Sequence, residues 1–175
     1  HNWENVLFII GIGKILNIPN EVISQFLKTT KALEHRLENF FLKQNTLFIN
    51  DSKGTNVEST IKAIEAFKNR IVLIAGGENK KICNEELIKK INERVGFVYL
   101  IGETGTILAE EMNKVGYKKY KNLGTLEKVL LDIKQNIDFE DSQTILFSPA
   151  TASFDQFKNF EERGRIFKEL TNKIL

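Results

Sequence analysis

The sequence predicts an α/β fold: a Rossmann-like, mainly parallel sheet with helices on both faces, preceded by two helices. Three observations predict it. Short apolar runs bounded by glycine, proline or polar residues recur along the chain. Amphipathic stretches of helical period separate them. Charged and hydroxyl residues collect where the apolar runs end. Strands alternating with helices at this spacing imply right-handed crossovers and a sheet covered on both sides. With 175 residues, 42% of them hydrophobic, the chain is of the size that builds one sizeable core.

Residues 2–30 follow a helical pattern interrupted at "NIPN", where Pro19 suits the start of a second helix. The apolar run "VLFIIGIG" is far shorter than the ~20 residues of a membrane span and lacks the flanks of a signal peptide, so it reads as a core helix. In "KALEHRLENFFLKQNTLFIND", apolar positions on both sides of "KQN" predict two strands joined by a tight turn. The second of these strands ends in "NDSKGTN" and is followed by helical "NVESTIKAIEAF", where Thr55 with Glu58 fits a capping box. Strand and helix then alternate: "RIVLIAGG" and "NEELIKKINERV"; "GFVYLIG" and "TGTILAEEMNKVG"; a short "YKKYKNL" and "TLEKVLLDIKQNI"; "SQTILFSPA" and a long helix from Phe154 to the end. Phe154, Phe157, Phe160 and Phe167 stand at near-helical spacing, the pattern of a core stripe.

Composition excludes several classes. The 25 basic and 23 acidic residues leave a net charge of +2, which does not make the basic surface of a nucleic-acid binder. A single cysteine, Cys83, allows no internal disulfide and no thiolate metal cluster, and suits a reducing, cytoplasmic compartment. "GIGK" at residues 11–14 hints at a phosphate loop, but Phe8 and Ile15 stand where that motif requires glycine and Ser or Thr, and no strand leads into G-x-G-x-x-G.

In an open parallel sheet, the carboxyl ends of the strands share one rim, and ligands bind outside it. Asp51 and Lys53, Lys80 in "GGENKK", "GETG" and Ser153 in "SPATASF" all fall at such ends. An acid there suits a ribose and lysines suit anions. Gly76 and Gly77 fit either a tight turn or close approach of a ligand. Lys80 and Lys81 read as a solvated pair or an anion clamp, and His35 as a structural polar residue or a base.

In order, "HNWEN", "HRLE", "INDSKGTN", "GGENK" and "SPATASFDQFKNFEERG" closely resemble the C-terminal part of the Mur ligases, in the D-glutamate-adding branch, over essentially the whole chain. The resemblance implies a cytoplasmic, three-domain, ATP- and magnesium-dependent amide ligase of peptidoglycan synthesis, expected to be a monomer with no membrane insertion and no nucleic-acid partner. Its substrates would be UDP-N-acetylmuramoyl-L-alanine, D-glutamate and ATP, joined through an acyl phosphate. The chain opens on His1 rather than Met, and on this resemblance residues 1–32 are closing helices of the central ATPase domain and residues 33–175 the C-terminal domain. Such a fragment alone is expected to be inactive, with the phosphate loop and metal ligands upstream.

By position, the resemblance places Asn5, Arg36 and Asp51 at the nucleotide, Asn5 against the adenine and Asp51 at the ribose. It places Lys53, Thr55, Lys80, Ser153, Phe154 and Phe160 around D-glutamate, and it implies no metal ligand in this chain. Two departures stand out: Asn79 follows Glu78 where an acid is common beside the lysine, and Thr151 replaces a frequent cysteine. The competing readings are another Mur or folylpolyglutamate-type ligase, or a non-enzymatic Rossmann-like binding module.

Overall fold

In the computed structural model, which describes residues 3–30, 33–78 and 85–175, the chain divides into two compact units, His1–Leu33 and Glu34–Leu175. The first is a helical pair, α1 (Trp3–Ile15) and α2 (Asn20–Thr29), with Pro19 as the N-cap of α2, as its fixed φ favours. Asn17, at φ +56°, turns the chain between them. Gly13 lets the helices approach: a Cβ there would lie 2.6 Å from Ile23 Cδ1. The reading of "VLFIIGIG" as a core helix is not met within this unit, because Leu7, Phe8 and Ile12 are exposed.

The second unit is a six-stranded sheet in the order β1-β2-β6-β3-β4-β5. The strands are β1 (Glu38–Lys43), β2 (Thr46–Asn50), β3 (Arg70–Gly76), β4 (Val95–Ile101), β5 (Tyr120–Gly124) and β6 (Gln143–Phe147). Only the β1–β2 hairpin is antiparallel. Its two-residue turn puts Gln44 at φ +52°, the left-handed conformation that matches the twist of paired strands.

Period-two alternation decides which side chains face which layer. Ile71, Leu73 and Ala75 of β3 pack with α3 (Val57–Glu65), α4 (Glu85–Arg94) and α5 (Thr104–Lys114). Val72 and Ile74 point the other way, into a cluster with Phe147 and residues of α6 (Leu126–Asn136) and α7 (Phe160–Ile174). Both faces are covered, so the strands read as continuous apolar runs rather than alternating ones.

Strand order advances from β3 to β5, and α6 then returns the chain to insert β6 between β2 and β3. Adjacent strands β2 and β6 are therefore followed by helices on opposite faces, α3 and α7. That arrangement is the topological switch point at which open α/β sheets leave a crevice.

Two local expectations are corrected. Asn56, not Thr55, caps α3: its side chain accepts from Ser59 N at 2.8 Å, while the Thr55 amide is already turned back onto Lys53 O. The last helix starts at Phe160, not Phe154. Ser153 O accepts the amides of Gln156 and Phe157, and Asn159 then caps the helix through Glu162 N at 2.7 Å. The phenylalanine stripe is broken as a result, with Phe154 exposed and Phe167 fully buried.

Candidate functional site

At the end of β2, the Asp51 amide bonds Phe147 O and continues the ladder to β6 for one more residue. Its side chain is held on both oxygens: Leu37 N donates to Oδ1 at 3.1 Å and the Ser148 hydroxyl to Oδ2 at 2.7 Å. Thr60 Oγ1 lies 2.9 Å from Ser148 Oγ and is the donor of that pair if the Ser148 proton goes to Asp51. Burial pushes the Asp51 carboxyl up, and the hydrogen bonds from Ser148 and Leu37, with the charge of Arg36, pull the other way. An ionised carboxylate has about four acceptor positions, so two remain for a ligand hydroxyl. Gly54 is required by close approach, since a Cβ there would lie 2.6 Å from Asp51 Oδ2 and 2.7 Å from Ser148 Oγ.

Asp51 and Gly54 tie the loop after β2 to the one after β6, where Ala150 N donates to Gly54 O. The largest fully buried side chain among the described residues, Arg163 of α7, joins them again. Its Nε donates to Ser52 Oγ at 3.0 Å, Nη2 to Ser52 O at 2.8 Å, and Nη1 to Thr151 O at 3.1 Å and Ala152 O at 3.0 Å. The Phe147 ring lies beneath the guanidinium, 5.9 Å away. Burial pushes the Arg163 pKa down to about 10, with Asp155 opposing, so the group remains a cation at neutral pH. Ser52 Oγ in turn donates to Phe160 O at 2.8 Å.

A second buried corner surrounds His35, whose carbonyl accepts the Lys53 amide. Asn50 Oδ1 accepts from Ser52 N, which directs its Nδ2 to His35 Nδ1 at 2.9 Å. An amide nitrogen only donates, so His35 accepts on Nδ1 and is neutral there; burial likewise lowers its pKa, against Glu34 and Glu38. The ring stands edge-on to Phe160, and Gly164 leaves room for it. Glu34, His35 and Glu38 place potential metal-ligating atoms within 4.8 Å of one another, but Lys168 Nζ already supplies the positive charge, at 3.0 Å from Glu34 Oε1 and 2.6 Å from Glu38 Oε1.

Three non-glycine residues with positive φ lie on this stretch of rim: His35 (+64°), Leu37 (+45°) and Ala150 (+65°). Backbone held in sparsely populated regions collects at functional sites. Gly76 and Gly77 also have positive φ, at +114° and +153°, and both are demanded by packing. A Cβ would run into Ile101 O in the first case and Ala152 O in the second.

Of the residues expected from sequence, Asp51, Lys53, Thr55, Ser153 and Phe160 come together on the β2–β6 rim. Lys53 is exposed, with Nζ 5.9 Å from the Phe160 ring centroid. Thr55 and Phe160 are half-buried and Ser153 is buried. Arg36 is exposed and acts on Asp51 through its charge. Phe154 presents an exposed ring on the following turn. Lys80, Lys81, Asn79 and Cys83 lie outside the described residues. Asn5 is exposed on α1, in the other unit. Sequence reasoning missed Arg163, Ser52 and Ser148. Gly164, in the middle of a helix where glycine costs about 1 kcal/mol relative to alanine, marks a close packing contact, but that contact is with His35 and points to none of the three.

Residues 35–151 match the family model described as Mur ligase, glutamate ligase domain. The chain is 44% identical over 176 residues to the UDP-N-acetylmuramoylalanine–D-glutamate ligase of Fusobacterium nucleatum, covering 99% of this chain and 40% of that protein. It is 40% identical over 179 residues to the protein of the same name from Caldicellulosiruptor bescii, covering all of this chain and 38% of that one. The chain thus spans about two fifths of the length of the curated relatives it matches. Among solved structures it is similar to a bifunctional folylpolyglutamate synthase/dihydrofolate synthase from Yersinia pestis, with a TM-score of 0.60 at 16% identity over 87% of this chain and 34% of that one. A murein peptide ligase from Psychrobacter arcticus gives a TM-score of 0.60 at 12% identity over 100% of this chain and 38% of that one. These two likenesses concern the fold.

Proposed function

We propose, from the premise that this chain belongs to the Mur ligase family through its glutamate ligase domain, that it is the C-terminal, amino-acid-binding part of an ATP-dependent ligase. That ligase adds D-glutamate to UDP-N-acetylmuramoyl-L-alanine in peptidoglycan synthesis. In this reading, residues 1–32 close a central ATPase domain and residues 33–175 form the closing domain of a monomeric, cytoplasmic enzyme. The shared name of the relatives supports the substrate assignment, and the switch-point rim at β2 and β6 supports its location on this chain.

The observation that carries the reading is the Asp51–Ser148–Leu37 arrangement beside Lys53. It sets a buried carboxylate with spare acceptor positions at the strand end, and two residues further on the exposed Lys53 holds its ammonium 5.9 Å from the Phe160 ring centroid. Asp51 suits the two hydroxyls of the ATP ribose, with Arg36 near the phosphates and Asn5 at the adenine. Lys53, Thr55 and Lys80 take the carboxylates of D-glutamate, with Ser153, Phe154 and Phe160 walling the pocket. A lysine close to the reacting carbonyl also steadies negative charge that develops as the amine attacks. Magnesium, held mainly upstream, would supply charge neutralisation on the phosphates.

The test is phosphate release by the full-length protein with ATP, magnesium and UDP-N-acetylmuramoyl-L-alanine, with D-glutamate or other amino acids supplied in turn. Release that depends on D-glutamate is expected. Turnover with a different amine discards this pocket, and silence with every amine discards the ligase.

A further inference from the structure

Arg163 is an unusual buried cation, because its four hydrogen bonds go to one hydroxyl and three backbone carbonyls and none to a carboxylate. A buried charge without a hydrogen-bonded counter-ion is costly, and a core position in a helix is ordinarily filled more cheaply by an apolar residue. The carbonyls it grips are informative. Ser52 O belongs to the peptide bond that leads into Lys53, and Ala152 O to the one that leads into Ser153. The Ser52 hydroxyl, held by Nε, reaches Phe160 O at 2.8 Å. Three residues of the proposed D-glutamate pocket, drawn from two strand ends and a helix start, are thus set by one planar fork.

We infer that Arg163 is a positioning residue for the amino-acid substrate, holding the peptide planes before Lys53 and Ser153 so that the pocket is preorganised. This inference rests on the proposed D-glutamate site. Geometry makes the guanidinium difficult to replace. Its donors spread in a plane toward two loops at once, whereas a lysine ammonium concentrates its donors on a single atom at the end of a flexible stem. Loosening a binding group by a fraction of an ångström weakens orientation of the incoming amine without touching the nucleotide.

The experiment compares full-length wild type with Arg163→Lys, measuring Tm and the KM values for D-glutamate, ATP and UDP-N-acetylmuramoyl-L-alanine. The expected result is a KM for D-glutamate raised by roughly ten-fold or more, with the other two within about two-fold. Arg163→Ala with added methylguanidine should recover part of that loss. If Arg163→Lys does not fold, Ser52→Ala carries the same comparison, since it removes the Nε acceptor and the link to Phe160 while leaving three carbonyl bonds. A variant whose three KM values and Tm move together, or whose D-glutamate KM stays within two-fold of wild type, overturns the inference. Wild-type protein that shows no D-glutamate-dependent release overturns the site reading itself, and with it this inference.

Discussion

The sheet can be divided between its β4–β5 side and its β2–β6 side, and the two halves use similar residues differently. On the β4–β5 side, polar groups pair near the surface. Lys121 meets Asp132 at 2.7 Å, the Tyr99 hydroxyl donates to the same carboxylate, and Thr125 caps α6 through Lys128 N. Burial works to raise the Asp132 carboxyl, but the hydrogen bonds from Lys121 and Tyr99 outweigh it and hold the pKa low. On the β2–β6 side, Asp51, Ser52, Ser148 and Arg163 are buried, and the Asp51 carboxyl is held high. One half pairs Lys121 with Asp132; in the other, Asp51 and Arg163 are each bonded to neutral groups, and the ion pairs that Lys168 makes with Glu34 and Glu38 leave both of them aside. An acid left without an ion-pair partner suits a site that meets a polar ligand.

The largest expected effect that would break this contrast is on stability. Asp51→Ala leaves the Leu37 amide without an acceptor and turns the Ser148 hydroxyl onto Thr60 Oγ1, and is expected to cost about 2 to 3 kcal/mol in urea unfolding. Asp132→Ala, at the surface pair, is expected to cost about 1 kcal/mol. Equal losses would erase the distinction between the halves.

Smaller effects sharpen it. Asn56→Ala, which removes the cap of α3, and Thr125→Ala, which removes that of α6, should each cost about 1 kcal/mol. Thr125→Ala should leave every KM unchanged. Thr55→Ala should stay within about 0.5 kcal/mol of wild type, because Thr55 is not the cap, yet should raise the KM for D-glutamate. A large stability loss from Thr55→Ala would return it to a capping role.

The smallest effect concerns pH. Because the folded-state pKa of Asp51 is raised, native protein binds more protons than unfolded protein at acid pH, so this group favours folding at low pH and loses that contribution as pH rises through its folded pKa. Asp51→Asn can keep both hydrogen bonds, with Oδ1 accepting from Leu37 and the amide donating to Ser148 Oγ. Its stability relative to wild type should therefore increase between about pH 4 and pH 7, by a fraction of a kcal/mol, while use of ATP falls. A relative decrease over that range would show that the carboxylate charge is stabilised in the fold.

Much of the fold was legible in sequence because it rests on apolar runs and their spacing: each strand, the tight turn at Gln44 and the mainly parallel sheet follow from them. The strand ends that carry Asp51, Lys53 and Ser153 were legible for the same reason. Local competition between neighbouring residues was not. Thr55 and Asn56 are both good caps, and only the turn that uses the Thr55 amide decides between them. The start of α7 was hidden because Ser153 captures two amides that a longer helix would have used. Arg163 was illegible since a charged residue in a helix reads as surface; its burial depends on carbonyls brought together from residues 52, 151 and 152.

The insertion of β6 between β2 and β3 also has a consequence for the order of assembly. β6 is the last strand of this sheet to be synthesised, yet it is a central one, paired on both sides. Until residues 143–147 have left the ribosome, the chain can form only the β1–β2 hairpin and a separate β3-β4-β5 ribbon, each with an open hydrogen-bonding edge. These fragments cannot merge without the missing strand, and the Ser52 loop, tied at Asp51 and Gly54 once β6 and its loop arrive, gains its remaining anchor when α7 follows with Arg163. Folding of this unit is therefore tied to the emergence of β6, and a nascent polypeptide halted before it presents two sticky ribbons in place of a binding surface.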